Sequence, residues 1–222
     1  MCGRFVIKTD LAYIQQAFNI DQVNSDVKPS YNVAPSQTVI TVVQRENARV
    51  LDAMQWGFQP GWAKDKGIRP MINARAETVA TSGLFKHAFQ AQRCLIVADG
   101  FYEWQQVGKG KIPMFVRLKS DEPFGFAGIY SVSKSETEAP VVTCAIITTE
   151  PNELMRSIHN RMPVILPSKA YARWLDPSNQ DAEKLTALLK SYPASQMQAW
   201  AVSKRVNKPE NNSPELIQPV AN

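Results

Sequence analysis

The apolar positions of this chain fall into many short runs. In LAYIQQAF, residues 11–18, Leu11, Ile14 and Phe18 share one helical face, and Thr9 and Asp10 supply capping oxygens just ahead of it. The runs TVITVV (38–43), CLIVA (94–98), MFVRL (114–118), FGFAGIY (124–130) and VVTCAIIT (141–148) are β-branched or aromatic and bounded by Gly, Pro or charged turns, which predicts strands. Residues 82–91, with Phe85 and Phe89 four apart, read as a helix, as do 152–158, 168–175 and 181–192. WGFQPGW (56–62) is too interrupted for a helix or a regular strand and reads as a packed loop. The strands do not alternate with long helices, which argues against a doubly wound parallel sheet. The expected fold is α+β, one domain over residues 1–222, with a mainly antiparallel, barrel-like β core flanked by helices.

Composition narrows the class. The chain has 222 residues, 44% of them hydrophobic and 20% charged, which suits a soluble globular domain. No apolar run approaches the roughly 18–20 residues of a membrane span. The opening segment lacks the apolar core and cleavage site of a secretory signal, so a cytoplasmic protein is expected. Cys2, Cys94 and Cys144 cannot form a paired framework and no CxxC occurs. His87 and His159 make no HExxH, and GxGxxG and GxxxxGK[ST] are absent, so neither a metal nor a cofactor is expected. Cys94 and Cys144 lie in apolar runs and read as core residues, and His87, between Phe85 and Phe89, as structural. The net charge of +5 mildly favours a polyanionic partner. No heptads or interface segment stand out, so a monomer is expected.

Cys2 carries the most specific chemistry. Initiator methionine is removed most readily before a small residue, and removal here would leave an α-amine and a thiol on one residue. The amine, with a pKa of about 7.7–8.0, is partly unprotonated at neutral pH, unlike a lysine near about 10.4. It can condense with an aldehyde to an imine, and the thiol can then close on the imine carbon to give a thiazolidine. On position alone, a buried or incidental cysteine at a frayed terminus is the simpler reading. Asn73 in MINARAE, Glu103 in ADGFYEW and His159 in IHNRMP each sit at an expected strand-to-loop transition, where functional groups tend to be displayed. Taken singly, each also has a plain structural reading.

Taken together, MCGRF, YNVAPSQ (31–37), WGFQPGW, INARAET (72–78), CLIVADGFYEW (94–104), IHNRMPVIL (158–166) and VNKPENNSPELI (206–217) resemble the SRAP family, named for SOS response-associated peptidase. The likeness runs from residue 1 to about 217. Some members carry paired tryptophans in the Gly- and Trp-rich loop; here Trp62 is followed by Ala63. The resemblance implies a single α+β domain with a β-barrel-like core. It also implies binding to single-stranded DNA and covalent trapping of the ring-opened aldehyde of an abasic site, shielding it from strand cleavage. Cys2 would be the nucleophile, and Asn73, Glu103 and His159 would shape the pocket. Arg4, Arg75 and Arg161, each close in sequence to one of these, would hold phosphates. Trp104, Trp56 and Trp62 would stack or wedge against bases. Pro35 and Thr148 would line the groove, again by resemblance. Two rivals remain: an N-terminal-nucleophile cysteine peptidase, acting on its own Met1 or on other chains, and a non-covalent single-strand binding module.

Overall fold

The computed structural model describes residues 2–133 and 140–220. In chain order its strands are β1 (Phe5–Ile7), β2 (Gln22–Val23), β3 (Ser30–Val33), β4 (Thr38–Arg45), β5 (Ala48–Trp56), β6 (Asn73–Arg75), β7 (Arg93–Ala98), β8 (Gly100–Val107), β9 (Gly110–Leu118), β10 (Phe124–Ser133), β11 (Val141–Thr149), β12 (Met162–Pro163), β13 (Ile165–Leu166) and β14 (Met197–Ala201). The α-helices are short: α1 (Leu11–Phe18), α2 (Gly61–Asp65), α3 (Lys86–Ala91), α4 (Glu153–Arg156), α5 (Tyr171–Leu175) and α6 (Ala182–Thr186).

β11, β10, β7, β4 and β5 pair in that order, and β5 returns to β11, closing a five-stranded barrel. Its first four pairings are antiparallel and the closing β5–β11 pairing is parallel. Parity requires this: strands that alternate direction around a ring of odd number must leave one pair running the same way. Closure also removes the free edges an open sheet would expose. All six residues of β7 are buried, because side chains on both of its faces are covered.

A second, antiparallel sheet has the order β14-β9-β8-β1-β3. One face packs on the barrel, where Phe5 and Phe101 meet Phe126 at ring-centroid separations of 5.9 and 6.0 Å and Phe5 meets Trp56 at 5.2 Å. The other face carries Val6, Tyr102 and Phe115, which cluster with Val202, Val206 and Leu216 of the C-terminal segment. The side-chain period of two thus sends alternate residues of β8 into different cores. Arg93 ties the outer helices to β7: its guanidinium donates to the carbonyls of Phe89, Gln90, Trp174, Asp176 and Asn179 at 2.5–2.9 Å.

The mixed α+β architecture with its barrel-like core is the one expected, and the five strands read from apolar runs all form. Some local details differ. Asp10 alone caps α1, accepting from the Tyr13 N–H, while the Thr9 hydroxyl turns to buried Asp99. WGFQPGW is not one loop: Trp56 ends β5, Phe58 bridges to Met71, and Gly61 opens α2. The helix expected over 181–192 stops at Thr186. Glu103 lies within the eight-residue strand β8 rather than at its end. His87, expected to be structural, lies on the exposed side of α3.

Gly100 marks the closest approach within the second sheet. A Cβ there would run into the Phe115 ring and come within 2.8 Å of the Val116 carbonyl oxygen. Gly100→Ala is expected to destabilise the protein by roughly 1–3 kcal/mol, the usual range for overpacking. Gly83→Ala, which meets nothing within 4 Å, should stay within about 0.5 kcal/mol of the parent in urea unfolding.

Candidate active site

β11 extends past both of its barrel neighbours. On one edge β5 pairs with it only through Thr143 and Cys144. β6 then takes over the same edge in parallel, setting Asn73 beside Ile146 and Arg75 beside Thr148. On the other edge β10 pairs as far as Gly128 opposite Ile146. Beyond that point the two strands splay and the segment 162–166 wedges between them. Pro163 pairs with Thr148, the Val164 N–H donates to the Ile147 carbonyl at 2.9 Å, and Ile165 pairs with Phe126. The end of β11 therefore carries the Asn73 segment on one side and the chain leaving His159 and Arg161 on the other.

Cys2 and Glu103 come together on the second sheet. Phe5 faces Phe101 and Val6 faces Gly100, a register that sets Gly3 opposite Glu103. Both Cys2 and the Glu103 carboxyl are buried, at 0% and 2% exposure. Burial first, and then the nearby Glu103 charge, push the Cys2 thiol pKa well above its ordinary value. Asn73 is 7% exposed; its amide donates to the Ile146 carbonyl at 3.5 Å, and its Oδ1 is buried without a hydrogen-bond partner. A buried acceptor of this kind is unusual in a folded protein and suits a polar ligand.

The His159 segment joins the two halves. At its start the Ser157 carbonyl accepts from the side chain of Gln105, two residues beyond Glu103 on β8, at 2.9 Å. In its middle the Arg161 N–H donates to His159 Nδ1 at 3.0 Å. At its end the Arg161 guanidinium forms a fork with Glu77, at 2.7 and 2.9 Å, and donates to the Thr148 carbonyl at 2.6 Å. The half-buried His159 is thus suspended between the strand carrying Glu103 and the element carrying Asn73.

The remaining expected residues divide. Arg75 is exposed, and its side chain has no hydrogen bond or ion pair among the described residues. Trp62 is 47% exposed, with the Lys66 ammonium 5.6 Å from its ring centre. Trp104 is half-buried; its indole N–H donates to Asn207 Oδ1 at 2.8 Å and Arg4 lies 5.9 Å over its ring. Pro35 is half-buried in the turn between β3 and β4. Arg4 is turned inward, donating to Asn32 Oδ1 and to the Val206 carbonyl, both at 2.8 Å. Arg161 is likewise engaged internally, as above. Trp56 is a correction: it is wholly buried against Phe5, and its N–H donates to the Ile72 carbonyl, so it offers no face to a base. Thr148 is also wholly buried, behind Arg161 and not at a groove surface. The expected removal of Met1 concerns a residue outside the described ones. Among the described residues no cluster of His, Cys, Asp and Glu could hold a metal ion, and no helix is long and apolar enough to cross a membrane.

Sequence reading missed Glu77, Gln105, Asn32 and Asn207, which orient Arg161, the His159 segment, Arg4 and Trp104. Each acts across 28 or more residues, so neither periodicity nor local spacing signals it.

Residues 1–209 match the family described as SOS response associated peptidase (SRAP), and the chain belongs to that family. It is 47% identical to the abasic site processing protein YoqW of Bacillus subtilis, covering 98% of this chain and 99% of that one. It is 35% identical to the abasic site processing protein YedK of Escherichia coli over 99% and 100% of the two chains. With the abasic site processing protein HMCES of Gallus gallus the identity is 31%, over 87% of this chain and 67% of the other. A crystal structure of a protein from Bacteroides thetaiotaomicron superposes with a TM-score of 0.86 at 26% identity, covering 99% of this chain and 100% of that one.

Hydrogen bonding from Arg161 holds the Glu77 carboxyl below the ordinary carboxylate range. A carboxyl whose folded-state pKa is depressed adds stability above its unfolded pKa and loses it as pH falls through the folded one. Glu77→Gln should therefore be less stable than the parent at neutral pH, by about 0.5–1 kcal/mol because the carboxylate is partly in solvent. The deficit should vanish in acid below the carboxylate range, as read by urea unfolding at a series of pH values.

Proposed function

We propose that this protein binds single-stranded DNA at abasic sites and captures the ring-opened sugar on Cys2 as a thiazolidine crosslink. The observation that carries the reading is the burial of Cys2 beside the Glu103 carboxyl, on a sheet tethered through Gln105 to the segment bearing His159. The names of the relatives support the substrate class.

The chemistry suits an amine-first order. Once Met1 is removed, the Cys2 nitrogen attacks C1′ of the open-chain aldehyde. The carbinolamine loses water to become an imine. The S–H then adds across C=N: sulfur bonds to C1′, and the thiol proton ends on nitrogen. Opening of the sugar beforehand requires a proton onto O4′ and one off the anomeric hydroxyl. His159 serves as the donor to O4′, and Glu103 relays protons between the amine and the departing hydroxyl, roles that typically contribute roughly 10²–10⁴-fold. Asn73 Oδ1, buried without a partner, accepts from the amine or a sugar hydroxyl and fixes the attack angle. An imine at C1′ acidifies the C2′ protons and invites β-elimination; ring closure by sulfur removes that route. The high thiol pKa counts against the rival cysteine peptidase, whose nucleophile is a thiolate.

Arg75 and Trp62 are the exposed groups available for a phosphate and a base. Phosphates carry no base identity, so binding should be largely indifferent to sequence.

On a denaturing gel, a shifted band is expected with abasic but not intact oligonucleotide. Cys2→Ala, with its amine retained, should lose the stable adduct and shift toward strand cleavage. Glu103→Gln and His159→Ala should trap more slowly while binding intact strands as the parent does. Peptide hydrolysis without an adduct would establish the peptidase; a salt-sensitive complex without an adduct would establish the binding module. In a salt titration, Arg75→Ala should weaken binding to all sequences alike and flatten the log–log slope by about 1.

A further inference from the structure

We infer that Glu77 is a positioning residue that acts on His159 through Arg161, fixing the imidazole with its proton on Nε2. The inference rests on the proposed function for its catalytic meaning, but its structural content stands apart from it.

The argument begins at the ring. His159 Nδ1 lies 3.0 Å from the Arg161 N–H, a group that can only donate. Nδ1 must then accept, which leaves the proton of the neutral ring on Nε2. The Arg161 carbonyl oxygen lies farther off, at 3.3 Å from the same nitrogen. One residue thus offers Nδ1 a donor from its own N–H and, after protonation, an acceptor from its own carbonyl in the next peptide group. Once a proton from solvent reaches Nδ1 the ring is an imidazolium with Nδ1–H facing the Arg161 carbonyl; it can then pass the Nε2 proton to the sugar oxygen and is left neutral in the Nδ1–H form.

That arrangement holds only while the Arg161 peptide is fixed. The peptide follows its own side chain, and three contacts pin the side chain: both Glu77 carboxylate oxygens and the Thr148 carbonyl. Thr148 is locked in the sheet between β6 and β12. Glu77 follows directly on β6, and the Ala76 N–H between them donates to the Thr148 carbonyl at 2.8 Å. The carboxylate is therefore carried on the turn that follows the short strand bearing Asn73. A planar guanidinium held on two edges cannot swivel, unlike one held by a single point contact. Glu77 thereby registers His159 against Asn73, on opposite edges of β11.

Two readouts test this. In the free protein, two-dimensional nitrogen NMR of the histidine rings reports the tautomer, with His87→Gln identifying the signals of the other ring. The parent His159 should show the Nε2–H form. Glu77→Ala should give a mixed or Nδ1–H signal, and Glu77→Asp, which keeps the charge on a shorter arm, should recover much of the parent pattern. In single-turnover trapping of abasic oligonucleotide, Glu77→Ala should be slower by roughly 10- to 100-fold with unchanged affinity for intact strand, and Glu77→Asp should be partly rescued. Should Glu77→Ala prove poorly folded, Glu77→Gln serves for both measurements, with smaller shifts in the same direction. An Nδ1–H ring in the parent, or a Glu77→Ala protein with the parental ring spectrum, overturns the inference. So does tighter binding of intact strand by Glu77→Ala at the parental trapping rate, which would make Glu77 a competitor of phosphate for Arg161. Absence of any trapping by the parent would defeat the proposed function while leaving the ring spectra to decide the positioning.

Discussion

The site depends on one strand outlasting its neighbours. A five-stranded ring needs a parallel seam, and here the seam is brief: β5 leaves β11 at Trp56. A buried strand cannot leave its backbone groups unpaired. The vacated edge is therefore taken by β6, and the gap where β10 splays away is filled by the segment 162–166. Asn73 and the chain that follows His159 reach the same place because the hydrogen-bonding demand of β11 draws both in. The site is in this sense a by-product of how the barrel closes.

That constraint explains what could be read from the sequence. The long apolar strands were legible because burial on both faces leaves continuous β-branched runs, as in CLIVA and VVTCAIIT. β8 was not read as a strand. Its GFYEWQQV alternates between Phe101, which enters the main core, and Tyr102, which enters the second cluster, so no single polar face marks it. β6 is three residues long and exists only because β11 has an edge to fill. The catalytic expectations at Asn73, Glu103 and His159 came from motif resemblance, and the long-range pairing that brings their elements together has no local signature. Trp56 shows the opposite failure: residue type suggested a stacking platform, whereas the largest aromatic side chains of a small barrel tend to fill its interior.

The arginines show how formal charge can mislead. Arg4, Arg93 and Arg161 all sit where phosphate contacts might be sought, or in the core, and all donate to protein oxygens instead. A guanidinium offers five donors in a fixed fork and can knit separate chain segments together through carbonyls. The positive balance of the chain is partly structural. Fewer of its guanidinium groups are left to face solvent than composition implies.

A terminus is a poor place for a buried side chain unless something holds it, because chain ends fray. Here the fixed point lies two residues on. β1 is interior to its sheet, paired with β3 on one side and β8 on the other. Arg4 binds Asn32, and the Asn32 amide donates to the carbonyls of Val206, Lys208 and Asn211. The C-terminal segment VNKPENN is thereby wrapped over the sheet that presents Cys2, and its Asn207 also holds Trp104. This knot gives the C-terminal motif a role that its distance from Cys2 in sequence conceals. It anchors the strand that follows the cysteine, so cleavage after Met1 would free an amine without releasing the residue that bears it.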